Sequence, residues 1–143
     1  MIERAVADFR FELELPLMNV MQKNRGKVAV IGSGSAGLAV AVDLAKIGFD
    51  VTVYEALPEA GGILLYGIPS SRLSKKIVRR EINNIKSLGV HFVTNCVVGE
   101  AVTVDSLFED GCDAILIGSG TAIVKELDIE GKELECIVQS SYF

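Results

Sequence analysis

The sequence is poor in the residues that carry metal, nucleophilic or disulfide chemistry. It has one histidine, His91, and three cysteines, Cys96, Cys112 and Cys136. The cysteines lie 16 and 24 residues apart and form no C-x-x-C pair, which excludes a zinc ribbon, an iron–sulfur cluster or a redox-active dithiol of that motif. We expect free thiols that are buried or half-buried. No nucleophile–base pair is evident, so we predict neither a catalytic side chain nor a metal site.

Long apolar runs and an excess of positive charge are also missing. The longest uncharged stretch, residues 28–42, has 15 residues and three glycines, fewer than the roughly 18–20 apolar residues that span a bilayer. The first ten residues carry four charges and lack the apolar core of a signal peptide. The net charge of −5 gives no general attraction to nucleic acid or to anionic membranes. We therefore expect a cytoplasmic protein with neither a nucleic-acid partner nor a membrane partner.

The chain does have a large hydrophobic fraction, 50% of its 143 residues. That fraction excludes intrinsic disorder, and the length favours a single domain. Residues 1–25 are predicted to be an N-terminal arm or linker, with a short helix over residues 1–11. Residues 26–143 are predicted to form the domain.

Four short β-branched segments alternate with helical segments in that domain. We predict strands over residues 27–32, 50–55, 90–94 and 112–120. Predicted helices end at Gly48, run from a cap at Ser74 to about Leu88, and begin at a cap at Thr103 or Asp105, while residues 56–73 are predicted to be a long loop. Strands that alternate with helices form parallel βαβ units with right-handed crossovers. The fold class is therefore α/β, a Rossmann-like parallel sheet with flanking helices.

A Gly-x-Gly-x-x-Gly motif directly follows the first predicted strand and opens a helix. Gly32 permits a tight turn, Gly34 lets a pyrophosphate approach the backbone, and Gly37 lets the helix pack against the strand. The N-terminus of such a helix presents unpaired N–H groups and a partial positive charge. The motif in this context predicts a dinucleotide site.

Glu55 ends the second predicted strand, 21 residues after Gly34. A carboxylate at that position accepts hydrogen bonds from both hydroxyls of the adenosine ribose. It would also repel a 2′-phosphate, which makes NADP an unsuitable ligand at this site. These residues leave NAD and FAD open, and the Gly61-Gly62 pair favours FAD because glycines let the chain pass close to a pyrophosphate or ribityl group.

Residues 27–129 resemble a specific family, the FAD-binding part of the small (β) subunit of NADPH-dependent glutamate synthase. Its relatives include the electron-input module of dihydropyrimidine dehydrogenase and the flavin subunit of NADH-dependent ferredoxin:NADP oxidoreductase. The resemblance is carried by VAVIGSGSAGLAVAVDLAKIGFDVTVYEA, LGVHFVTNCVVGEAVTVDSL, GCDAILIGSG and, most specifically, GGILLYGIP-x-x-RL. It implies a flavoprotein that transfers electrons from NADPH through FAD.

The resemblance also implies which residues hold the cofactor. Arg72 matches an arginine that contacts FAD, Val98 a backbone position at the adenine, and Gly118 a second turn near the cofactor. Ser35 replaces the family's usual proline, and we expect it to cap the helix instead. The implied FAD-binding residues are Gly32, Gly34, Ser35, Ala36, Gly37, Glu55, Gly61, Gly62, Ile63, Arg72, Val98 and Gly118.

The family carries two further domains that we do not find in this sequence, an N-terminal iron–sulfur domain and an NADPH-binding domain. Residues 1–9 resemble the linker after the former, and Phe143 lies about where the latter would begin. We therefore expect a truncated FAD domain without turnover of its own. Two alternatives stay open: a simple NAD-binding module, or a cofactor-free fragment that binds itself or a partner subunit through the surface left by the missing domain.

Overall fold

The computed structural model describes residues 22–121 and 128–136, together with residues 2, 5, 6 and 9. Those last four residues are helical, and the rest of the helix predicted over residues 1–11 lies outside the described residues. Residues 22–121 contain four strands and four helices. The strands are β1 (Lys27–Ile31), β2 (Asp50–Tyr54), β3 (His91–Val93) and β4 (Ala114–Ile117), and the helices are α1 (Ser35–Lys46), α2 (Ile63–Tyr66), α3 (Lys75–Ser87) and α4 (Val104–Glu109).

The four strands form one parallel sheet in the order β3-β2-β1-β4. β1 lies between β2 and β4, with Val30 opposite both Val53 and Leu116. Its sequence KVAVI is apolar on both faces, as expected for a central strand that is covered on both sides. The Rossmann-like fold class predicted from the sequence is confirmed.

The core has two parts, one on each face of the sheet, because successive strand residues point to opposite faces. On one face, β1 and β2 contribute valines that pack against Leu38, Ala41 and Ala45 of α1 and against the apolar side of α3. On the other face, Ala29 packs with Leu107 of α4. The sheet is therefore covered on both faces, which leaves the carboxyl ends of its strands as the place for a ligand.

Helix boundaries follow the predicted signals with two differences. α1 ends just before Gly48, which has a φ of +94°, and α4 is capped by Thr103, whose side chain accepts the Ser106 N–H at 3.1 Å. Ser74 stands at the N-cap of α3, but its side chain makes no capping hydrogen bond. Its backbone carbonyl accepts from the N–H groups of Ile77 and Val78. The second difference is α2, which lies inside the segment predicted to be a loop.

The cysteines are free, as predicted, and two of them, Cys96 and Cys112, are buried. Cys136 is exposed, which differs from the expectation of buried or half-buried thiols. Beside Cys112, burial raises the pKa of the Tyr54 hydroxyl, and the neighbouring thiols and Asp110 raise it further.

In the part of the chain that the structure describes, no helix is both long and apolar enough to cross a membrane.

The segment that precedes β1 is fastened to the amino-terminal edge of the sheet. Lys23 Nζ lies 2.5 Å from Asp50 Oδ1 and donates to the Gly89 carbonyl at 2.7 Å. His91 Nε2 lies 4.0 Å from the same carboxylate oxygen. The hydrogen bond from Lys23 lowers the pKa of Asp50 despite some desolvation, and the charges of Lys23, His91 and Lys27 lower it further.

We predict that Asp50→Asn removes a pH-dependent part of the stability. A depressed carboxyl pKa stabilises the folded state above about pH 4, and this contribution is lost as the pH falls through the folded-state pKa. Because Lys23 and Asp50 are 34% and 40% exposed, the expected loss near neutral pH is at most about 1 kcal/mol. Urea unfolding of both proteins should show this gap near neutral pH and a smaller gap near pH 3.

The matched control is Asp128→Asn, because Asp128 is an exposed aspartate outside the sheet. Its free energy of unfolding should follow that of the unaltered protein at both pH values. A gap for Asp50→Asn that does not change with pH would contradict the assigned role of the carboxylate.

Candidate functional site

The predicted glycine residues meet at the carboxyl end of β1, where the order of the sheet reverses. The chain leaves β1 through α1 to reach β2 on one side, whereas β4 pairs with β1 on the other side. In an open α/β sheet, ligands bind in the crevice at such a switch point. The Gly32–Gly37 loop and the turn at Gly118 both lie at this end of the sheet, where Gly32 and Gly37 contact Gly118.

Gly32 brings the loop after β1 against the loop after β4. Its φ is +95°, and a Cβ there would lie 2.5 Å from the Gly118 carbonyl oxygen. The Gly118 N–H in turn donates to the Ile31 carbonyl at 2.7 Å. Backbone contact at this distance leaves no room for a side chain at position 32, so the two loops form one floor for the crevice.

Gly37 sets the position of α1 over that floor. A Cβ on Gly37 would lie 2.0 Å from the Gly32 carbonyl oxygen and 3.2 Å from Val30 Cγ1. Since atoms cannot approach so closely, only glycine lets the first turn of α1 lie against the end of β1. The predicted packing role of Gly37 agrees with this geometry.

The amino terminus of α1 is open towards the crevice. Gly34 is the N-cap, with no side-chain capping bond and no acidic residue in the first turn, and a Cβ on Gly34 would meet nothing within 4 Å. The expected cap, Ser35, is instead the first helical residue, because the extended Gly34 already starts the helix by accepting from Leu38 at 2.9 Å. The amides of Ser35, Ala36 and Gly37 precede the first intrahelical bond, so they can face an anion.

Glu55 follows β2 directly and is only 6% exposed. Its Oε2 accepts from the Ser33 N–H at 3.0 Å and from the Ser33 hydroxyl, and its Oε1 accepts from the Leu57 N–H at 2.9 Å. A buried carboxylate needs such donors because its charge has lost contact with water. These bonds place the carboxylate directly beside the glycine loop.

The hydrogen bonds to Glu55 change one expectation from the sequence. A carboxylate has about four lone-pair positions, and the described residues occupy two on Oε2 and one on Oε1. About one position, on Oε1, is left for a ligand. Glu55 in this arrangement can therefore accept one ribose hydroxyl, whereas the sequence predicted that it would accept two.

The second glycine pair lies against the first glycine loop. Gly61 and Gly62 have φ values of +133° and +49°, and a Cβ on Gly62 would lie 3.0 Å from Gly34 Cα. The Gly61 N–H donates to the Ser33 hydroxyl at 2.8 Å. Ile63, which begins α2, is 65% exposed. The structure thus brings the Gly61–Ile63 segment to the edge of the crevice.

The segment around α2 is held in place from several sides, although it was predicted to be a loop. Leu65 is buried, and Lys75 Nζ donates to the carbonyls of Leu64, at 3.2 Å, and Ile68. Glu59 accepts from Arg79 at 2.7 and 3.1 Å, and this guanidinium lowers the pKa of the Glu59 carboxyl. The segment is therefore preformed beside the crevice.

The contacts of Arg72 and Val98 do not connect these two residues to the crevice. Arg72 is exposed, and within the described residues its guanidinium has no hydrogen-bond or ion-pair partner, while its N–H donates to the Pro69 carbonyl at 2.9 Å. The Val98 side chain packs with Val102 against the cluster formed by Ala29, Leu107 and Cys112. The roles that the resemblance implies for these two residues stay predictions.

Ser33 is the site residue that the sequence did not single out. It is fully buried, and its hydroxyl joins Glu55 to Gly61. Position 33 is a variable position in the Gly-x-Gly motif, so the motif itself assigns it no task. Its partners, residues 55 and 61, are distant in sequence, which is why only the folded chain reveals the connection.

We predict losses of stability of very different size when alanine replaces Gly37 or Gly34. Gly37→Ala should lower the free energy of unfolding by more than about 2 kcal/mol because its Cβ collides with the Gly32 carbonyl. Gly34→Ala, which meets open space at φ −69°, should cost less than about 1 kcal/mol. Urea unfolding of both variants measures the difference, and equal losses would contradict the described packing.

Comparisons with known proteins agree with this geometry. A family model described as pyridine nucleotide-disulphide oxidoreductase matches residues 26–142. The chain is 42% identical over 133 residues to the glutamate synthase NADPH small chain of Bacillus subtilis (strain 168), which covers 92% of this chain and 27% of that protein. It is 40% identical over 106 residues to the NAD-dependent dihydropyrimidine dehydrogenase subunit PreT of Salmonella typhimurium, covering 74% of this chain and 26% of that one.

A solved structure, Mycobacterium tuberculosis FprA in complex with NADPH, superimposes with a TM-score of 0.67 at 25% identity, covering 77% of this chain and 26% of FprA. The chain thus spans about a quarter of the length of each of these three relatives. The resemblance stated from the sequence motifs is confirmed. The chain belongs to the pyridine nucleotide-disulphide oxidoreductase family, in which it resembles the glutamate synthase small chain and related flavoprotein reductases.

Proposed function

We propose that this chain is the FAD-binding module of a flavin oxidoreductase that takes electrons from NADPH. One observation carries the proposal: the open, uncapped amino terminus of α1 at Gly34 lies beside the buried carboxylate of Glu55. An anion-binding helix end next to a ribose acceptor fits the adenosine diphosphate half of a dinucleotide. The family membership supports a flavin as its other half.

The chain's own residues would bind and orient the cofactor. The α1 amides would hold the pyrophosphate, Glu55 the ribose 2′-hydroxyl, and Arg72 a phosphate through paired charged hydrogen bonds. The exposed Ile63 at the crevice edge would lie along the flavin. FAD, when bound, supplies the redox chemistry, since the flavin accepts hydride and passes electrons on. The NADPH site would belong to a separate domain, because Glu55 repels a 2′-phosphate.

NAD is the second candidate for the same crevice. In the proposed binding mode, the Gly32–Gly37 loop and Glu55 would meet the half of the ligand that NAD and FAD share. The Gly61-Gly62 turn and Ile63 would extend towards the other half. We propose FAD because the family motif GGILLYGIP-x-x-RL has no task in an NAD-only module.

We also propose that the chain associates with itself or with a partner subunit, and that it acts in the cytoplasm. Ile117, at the end of β4, is 68% exposed, and Phe108 on α4 is half-exposed. Large apolar side chains that stay exposed on a small domain favour association.

We predict that the chain shows flavin absorption bands as purified, or after FAD is added and the excess is removed.

Arg72→Met should weaken FAD binding about tenfold or more, because a charged hydrogen bond to phosphate is lost. The matched control is Arg25→Met, since Arg25 lies just before β1, at the opposite edge of the sheet. Fluorescence titration with FAD gives the dissociation constants.

The outcomes separate the candidates. Binding of NAD without binding of FAD would support the second candidate. Absence of both would contradict a dinucleotide site in this chain. Equal affinities of the Arg72 and Arg25 variants would contradict the role of Arg72 alone.

A further inference from the structure

Ser33 joins the two parts of the crevice through a single hydroxyl group. The residue is 0% exposed. Its Oγ lies 2.8 Å from the Gly61 amide nitrogen and also bonds Glu55 Oε2. An amide N–H can only donate, so the Ser33 oxygen accepts from Gly61, and its own proton is directed to the carboxylate. The direction of both hydrogen bonds is thereby fixed.

The two Ser33 donors act together on one oxygen of Glu55. The backbone N–H, at 3.0 Å, and the hydroxyl both reach Oε2, and they use its two lone pairs. Oε1 has only one described donor, Leu57 N–H at 2.9 Å. Ser33 therefore leaves the free acceptor position of the carboxylate on Oε1, and together with Leu57 it fixes the orientation of the carboxylate plane.

The same hydroxyl holds the Gly61-Gly62 turn against the glycine loop. Gly61 is buried, and its amide takes the Ser33 oxygen as acceptor. In this position Gly62 lies against Gly34, since a Cβ added to Gly62 would be only 3.0 Å from Gly34 Cα. Release of Gly61 would free the turn that borders the pyrophosphate side of the crevice.

We propose that Ser33 is a positioning residue that sets the preference of this site for an unmodified ribose. It aims Glu55 Oε1 at the ribose 2′-hydroxyl, and it couples that carboxylate to the turn at Gly61. The proposal rests on the proposed function, since it assumes a dinucleotide at this crevice. It adds a specificity-determining residue to that function. The preference for a free 2′-hydroxyl would depend on Ser33, although the Ser33 side chain makes no ligand contact itself.

The test compares ADP with 2′-deoxy-ADP, which probe the half shared by FAD and NAD. In the unaltered chain, NMR titration should show ADP binding about tenfold more tightly, because a buried carboxylate loses its hydroxyl partner in the deoxy form. In Ser33→Ala this ratio should fall to below about threefold. A merely structural role for Ser33 would weaken both ligands equally and keep the ratio, which would overturn the proposal.

Two variants separate positioning from general destabilisation. Ser106→Ala removes another serine that bonds backbone, in the capping box of α4, and should leave the ligand ratio unchanged. Glu55→Gln should reduce the ratio as Ser33→Ala does. A reduced ratio in Ser106→Ala as well would overturn the specific role of Ser33.

Amide hydrogen exchange tests the coupling without a ligand. The Gly61 amide should exchange about tenfold or more faster in Ser33→Ala and unchanged in Ser106→Ala. An unchanged Gly61 rate in Ser33→Ala would overturn the coupling. If the unaltered chain binds neither nucleotide, the proposed function and the ribose preference both fail, whereas the exchange rate still decides whether Ser33 holds the turn.

Discussion

The site depends on one steric constraint, the contact between the first turn of α1 and the end of β1. With a would-be Cβ on Gly37 only 2.0 Å from the Gly32 carbonyl oxygen, the helix lies closer to the strand than any side chain permits. This closeness directs the open amino terminus of α1 along the carboxyl edge of the sheet, where Gly118 closes the floor from β4. The anion site that we propose for the crevice is therefore built mainly by backbone packing, and the Arg72 guanidinium would add to it.

Burial of the Glu55 carboxylate is the second requirement, and it explains why the surrounding loop is so well fixed. A charge removed from water is tolerated only if donors surround it. Ser33 supplies two of them and Leu57 the third. The backbone of Glu55 continues the pairing of β2. Its N–H donates to the Val93 carbonyl, and its carbonyl accepts from the Cys96 N–H. The residue is thus held by its side chain and by its backbone, and the loops that meet it are held with it.

The sequence predicted the sheet, the glycine loop and Glu55 because each has a local signal. β-Branched runs mark the strands, and the glycine spacing marks the turn into α1. It did not predict α2, because ILLY has no periodic pattern of its own and is held by Lys75 and by the burial of Leu65. It also placed the cap at Ser35 instead of Gly34, since residue preference cannot show which residue has the extended backbone. Ser33 was missed because its partners, Glu55 and Gly61, are brought to it only by folding.

The net charge of −5 is compatible with the proposed pyrophosphate site because the net charge and the site act over different distances. At physiological salt, charges more than about 8 Å away are largely screened, so the local groups decide. The first turn of α1 contains no acidic side chain, and its unpaired amides lie at the crevice. The Glu55 carboxylate has three donors around it, and the part of a dinucleotide that would meet it is the neutral ribose. The negative charge of Glu55 is therefore tolerable beside a phosphate site, and it becomes repulsive only when the ribose itself carries a phosphate.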